Sequence, residues 1–166
     1  MTISTLKDLY IDQLQDLYSA NRQALKATQE LHDAAHSAEL RKALSAGAEG
    51  IEEGMAQLKS LIESHDANPR GEHCRGMEGL VAEARAHGVE ADFSDEDVRD
   101  ASIIAQYQRM THYGISGYGT VAAFARRLGL EEDAGVLAQC LEDTRGGDRK
   151  MTAIASGEVN PAAAEA

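Results

Sequence analysis

Four stretches of this chain repeat apolar residues at spacings of three and four, and the joints between them are unequal. The first stripe is Leu6, Leu9, Leu14, Leu17, Leu25 and Leu31, starting behind Ser4 or Thr5 as N-cap and running to about Ala35. Ser37 caps the second, which carries Leu40, Leu44, Ile51, Met55, Leu58 and Ile62 and stops near His65. Ser94 with Asp97 opens the third, whose stripe includes Val98, Ile104, Ile115, Tyr118, Ala122 and Leu128 and which Gly129 closes. The fourth runs from about Glu131 to Ser156 through Val136, Leu137, Leu141, Met151 and Ile154, and Gly157 ends it. Such stripes predict amphipathic helices, each roughly 40–50 Å long at 1.5 Å per residue.

Helices one and two are tightly joined, and so are three and four. The middle connection holds a loop at Asn68, Pro69 and Gly71, then a short helix from Cys74 to His87 closed by Gly88. Two hairpins joined by one long crossover predict an all-α, ferritin-like four-helix bundle with a short extra helix in that crossover. No sustained alternation of period two argues for strands. The bundle is expected over residues 1–158, and 159–166 should form a disordered tail.

Charge narrows the partners. The formal net charge is -12, from 28 acidic and 16 basic residues, and no basic stripe is present for nucleic acid or an anionic membrane surface. No apolar run reaches the roughly 20 residues of a spanning helix. Met1 to Leu9 shows neither the basic nor the apolar region of a secretory signal, so a cytoplasmic setting is expected. Cys74 and Cys140 form no metal or redox spacing and are expected as free thiols.

In bundles of this class, chemistry sits at mid-height, where inward Glu residues and Glu-x-x-His pairs hold two metals. Here no Glu is followed three residues later by His. The stripes instead bring Asn21, then Gly47, Gly50 and Gly54, then Gln108, Thr111, His112 and Gly114, then Thr144, Gly147 and Asp148 to that height. Neutral amides and hydroxyls are poor ligands for iron or manganese. Eight of the 15 glycines lie in helix interiors near this layer, although each costs about 1 kcal/mol there relative to alanine. Two explanations stand at this point: close helix contact, or a cavity.

Four segments carry a family likeness. They are Asp8-Leu9-Tyr10 through Asp16-Leu17-Tyr18-Ser19-Ala20 with Gln23; Cys74-Arg75-Gly76-Met77-Glu78-Gly79-Leu80; Arg99-Asp100-Ala101 with His112-Tyr113 and Tyr118-Gly119-Thr120; and Leu128-Gly129 with Asp148 and Lys150. In these the chain resembles the YciE/YciF family of bacterial ferritin-like stress proteins, over about residues 4 to 156. The resemblance implies a five-helix ferritin-like fold, usually dimeric, linked to stress, with a di-metal site in better-preserved members. This chain departs where that site would be. Asn21 follows Tyr18-Ser19-Ala20 where Glu is the family pattern, and Gly47 and Gly50 replace a His and a Glu. Thr111-His112-Tyr113-Gly114 replaces Glu-His-Tyr-Glu, and Thr144 replaces the last Glu.

The favoured expectation is therefore a stress-associated protein that has lost its di-metal centre, with no metal or cofactor. It would be a homodimer and non-enzymatic, with a small-molecule pocket drawn from Asn21, Gly47, Gly50, Gln108, Thr111, His112, Gly114, Tyr118, Thr144 and Asp148. Two alternatives stay open. One is a ferroxidase or peroxide-consuming oxidoreductase with ligands such as Glu49, Glu53, His112 and Asp148. The other is a metal-free enzyme using His112.

Overall fold

The computed structural model describes residues 2–166. The helices are α1 (Leu6–Ala34), α2 (Ala38–Ser64), α3 (Arg75–Ala84), α4 (Glu96–Arg127), α5 (Glu131–Ile154) and α6 (Asn160–Ala163), and no strand forms among the described residues. The all-α bundle read from the stripes is the observed architecture.

Local chemistry sets the helix ends. Thr5 caps α1 in a full capping box with Asp8. Ser37 caps α2 through the Leu40 N–H. The fully buried Asp100 of α4 accepts from the backbone N–H groups of His36 and Ser37, at 2.8 and 2.7 Å, and so locks the first hairpin to the start of α4. Gly129 ends α4 at φ +73°, with Leu130 N–H bonded to Ala125 C=O and Gly129 N–H to Arg126 C=O. That reversed pair of bonds needs a left-handed residue, which glycine adopts without Cβ strain. Asp66 plays the same part after α2 at φ +56°.

The two hairpins, α1–α2 and α4–α5, pack with α1 against α4 and α2 against α5. Helix α3 lies across α1 and α4 and thickens that side alone. One core cluster, around Leu31, Leu40, Leu44, Met77, Ile103 and Met151, fills the end where α1 turns into α2. A second, around Tyr10, Leu14, Leu17, Leu58, Ile62 and Leu137, fills the other end.

Three boundaries differ from expectation. Asp95, not Ser94, caps α4, accepting from Asp97 and Val98 N–H. The crossover helix does not stop at Gly88. It continues as a π-helical turn over Arg85–Glu90, in which buried Gly88 admits the Leu31 side chain, 2.6 Å from where a Cβ would lie. Arg85 anchors the turn to α1 through a forked pair with Glu30, at 2.6 and 3.1 Å. Finally, residues 159–166 are not a patternless tail: a π-turn (Ala155–Val159) runs through Gly157 into α6, which packs on α4, and Val159 is buried. Two buried residues, Ala155 and Val159, anchor this turn, too short a signal for periodicity to show.

Candidate functional site

The bundle has two unlike long seams. On the α1–α4 side, α3 closes the gap with polar contacts and a glycine. Tyr113 Oη donates to Asp16 Oδ2 at 2.9 Å and lies 2.9 Å from Cys74 Sγ. Cys74 N–H donates to Ser19 Oγ, and its carbonyl accepts from Gln23 Nε2, both at 3.0 Å. Gly76 lets α3 settle against the Tyr113 ring, since a Cβ there would be 2.9 Å from Cε2.

On the opposite side, α2 and α5 part to leave a cleft of about 390 Å³. Its walls are α2 and α5, and its floor is the inner face of α1 and α4. Glycine makes the opening: a Cβ on Gly50 or Gly147 would meet nothing within 4 Å, and one on Gly114 only the Thr144 methyl at 3.8 Å. Gly47 and Gly54 serve differently. A Cβ on Gly47 would collide with the Tyr107 hydroxyl, and one on Gly54 would lie 2.5 Å from that of Tyr118. The glycines thus answer to both explanations raised by the sequence, two admitting tyrosine hydroxyls and two facing open space.

Polar groups gather at two heights. Lower down, Asn21 Nδ2 donates to Tyr118 Oη at 2.7 Å, which leaves the phenol's own proton to donate. Seven residues further along α1, Thr28 is 0% exposed, lines the cleft, and its Oγ1 has no partner. Buried hydroxyls without partners are uncommon and mark a group poised for one. Thr28 belongs to the height of Tyr107, because α1 and α2 run antiparallel and Gly47 lies the same seven residues back from Gly54. Burial raises the pKa of Tyr107 and of Tyr118, so both remain protonated donors.

Between these heights the cleft is apolar. Ala24, Gly50, Ile51, Met110 and Gly114 line it. Thr111 and Thr144 add to that character, because their hydroxyls donate to Tyr107 C=O and Cys140 C=O, at 2.9 and 2.7 Å, on their own helices. Cys140 also faces the cleft, and burial pushes its thiol up to about 11. Charge is confined to the mouth, at exposed Glu53, Asp143 and Lys150.

Of the residues singled out in the sequence, Asn21, Gly47, Gly50, Thr111, Gly114, Tyr118 and Thr144 meet at this cleft. Gln108, His112 and Asp148 do not line it. The His112 side chain is 63% exposed and pairs through Nε2 with Asp148 Oδ2 at 3.1 Å, while Gln108 Nε2 donates to Asp148 Oδ1 and Thr152 Oγ1. The reason is angular. Tyr107, Met110, Thr111, Gly114 and Tyr118 recur at helical spacing and form the cleft face. Gln108 and His112 each follow one of these by a single residue, about 100° further round. Sequence reasoning passed over Thr28 and Tyr107, although Thr28 is two turns from Asn21 on the same face.

The residues do not fit a di-metal centre. Among the described residues, no three of His, Cys, Asp and Glu come together to hold a metal ion. Glu49 and Glu53 are exposed on α2, and His112 with Asp148 lies off the cleft.

Comparisons agree on the family. Residues 5–164 match the profile described as a domain of unknown function, DUF892. The chain is 34% identical to Protein YciF of Escherichia coli strain K12 over 161 residues, 96% of each chain. The crystal structure of that E. coli stress protein superposes with a TM-score of 0.88 at 33% identity, over 95% of this chain and 99% of that one. YcfI from Rhodopseudomonas palustris follows with a TM-score of 0.84 at 29% identity, over 90% of this chain and 94% of its own. With its whole bundle covered by these matches, the chain belongs to the YciF-type family of ferritin-like helical proteins, DUF892.

Proposed function

We propose that this protein is a stress-associated member of its family that works without a di-metal centre and binds a small molecule in the α2–α5 cleft. The observation that carries the reading is the open space in front of Gly50 and Gly147, at the height where bundles of this class place metal-binding carboxylates. Among the described residues, no three of His, Cys, Asp and Glu come together there to hold a metal. A concave, mostly apolar space with a few convergent polar groups suits an organic ligand instead. Association with stress is carried over from the E. coli relative's description as a stress protein. A homodimeric, cytoplasmic protein is part of the same proposal, and its mass in solution tests the dimer.

The test uses protein expressed with iron and manganese in the medium. Metal is counted per chain by mass spectrometry, and the neutral fluorophore 1-aminoanthracene is titrated in. Far less than one metal per chain is expected, with saturable dye binding that Gly50→Leu abolishes while the melting temperature holds. About two metals per chain, or dye binding indifferent to Gly50→Leu, would overturn the proposal.

A further inference from the structure

The two polar heights of the cleft say more about what it holds. Gly47 and Gly54 are two turns apart on α2, about 10 Å at 1.5 Å per residue. The Tyr107 and Tyr118 hydroxyls sit over them. Between these phenols lies the open stretch in front of Gly50, backed by Ala24, Met110 and Gly114. Both phenols line the cleft, and the Tyr118 oxygen already accepts from Asn21, so its hydrogen is the part left to offer. Thr28, whose hydroxyl has no partner, is fully buried behind the Tyr107 end.

An anion would leave water here without a buried positive partner, which is costly. The one lysine at the mouth, Lys150, is exposed and shares it with Glu53 and Asp143. A pure hydrocarbon would leave both phenol hydrogens unanswered. With the two hydroxyls spaced like the glycines they lie against, about 10 Å, two O–H···O bonds of about 2.7 Å leave about 5 Å between the ligand's acceptors. That is the span across the ring of a para-quinone. Resting on the reading of the cleft as a ligand site, we infer that its ligand is a flat, uncharged, mostly apolar molecule with acceptors on opposite edges, of the quinone class, held between the hydroxyls of Tyr107 and Tyr118.

The test is displacement of 1-aminoanthracene from the full chain by 2,3-dimethyl-1,4-naphthoquinone and, separately, by 2,3-dimethylnaphthalene. The methyl groups block addition of the Cys140 thiol to the quinone ring. The quinone is expected to displace the dye at about tenfold lower concentration than the hydrocarbon, two hydrogen bonds being the difference. Tyr107→Phe and Tyr118→Phe should each weaken the quinone about three- to tenfold and leave the hydrocarbon unchanged. The carbonyl stretch of the bound quinone should lie at lower wavenumber on the wild type than on either variant.

Equal displacement by quinone and hydrocarbon on the wild type overturns the ligand class while leaving the cleft intact. So does an equal loss for both compounds in the tyrosine variants, which would report altered packing. No binding of dye, quinone or hydrocarbon overturns the cleft reading itself, and this inference with it.

Discussion

The seam between α1 and α4 and the seam between α2 and α5 are built from similar helices, yet one is sealed and the other gapes. On the sealed side, the crossover delivers α3, whose Met77 and Val81 are buried and whose Cys74 joins the Tyr113–Asp16 bond. On the open side nothing crosses, and the positions that face across the gap, Gly50 and Gly147, carry no side chain to fill it. The chain has one crossover, so it covers one seam. The uncovered seam is where the proposed ligand would enter.

The sharpest way to break this contrast is to open the sealed side. Met77, on the inner face of α3, is 1% exposed, and Met77→Ala should cost about 3 kcal/mol in urea unfolding, the usual range for emptying a core site. A loss under 1 kcal/mol would mean that α3 merely rests on the bundle. Overfilling the same side comes next. Gly88→Leu must displace Leu31 and the Ile103 chain, and should cost about 2 kcal/mol. A neutral result would show that the π-turn yields freely.

On the open side the same kind of change should reverse sign. Gly50→Ala and Gly147→Ala meet nothing, so each should raise stability by about 1 kcal/mol through helix propensity. If instead either destabilises, the seam closes in solution. The last prediction concerns pH and gives a direction only. Burial first, with neighbouring carboxylates or a thiol beside it, raises the phenol pKa of Tyr10, Tyr113 and Tyr118, and burial raises that of Tyr107. A raised folded-state pKa means the stabilisation is whole below the unfolded value of about 10 and fades as pH climbs past it. Absorbance at 295 nm should show these phenols resisting ionisation until the chain unfolds. Reversible titration near 10 with the fold intact would contradict their burial.

The stripes made the bundle readable because a 3.6-residue period leaves its mark over tens of residues. Capping chemistry did the same for Thr5, Ser37 and Gly129, where one residue meets one backbone requirement. The candidate site was readable only in part. Asn21, Gly50, Thr111 and Tyr118 lie on core stripes and reach the cleft, but His112 and Asp148 lie a fraction of a turn off and face out. A helical wheel places a residue within about one position, or 100°. That error is harmless for a broad apolar face and decisive for a single histidine. The short signals at Gly88, Asp95 and Val159 were lost for a related reason: each depends on one contact with a distant part of the chain or one local bond.

By itself, the sequence determined that this protein is two helical hairpins with a crossover, and that no Glu is followed three residues later by His. Both follow from which residue types recur and at what spacing. Only the tertiary structure decided that the glycine layer divides, with Gly47 and Gly54 packed under tyrosine hydroxyls and Gly50 and Gly147 facing open space. Whether a missing side chain becomes a contact or a cavity depends on what the neighbouring helix carries at that height, and on which seam the crossover covers.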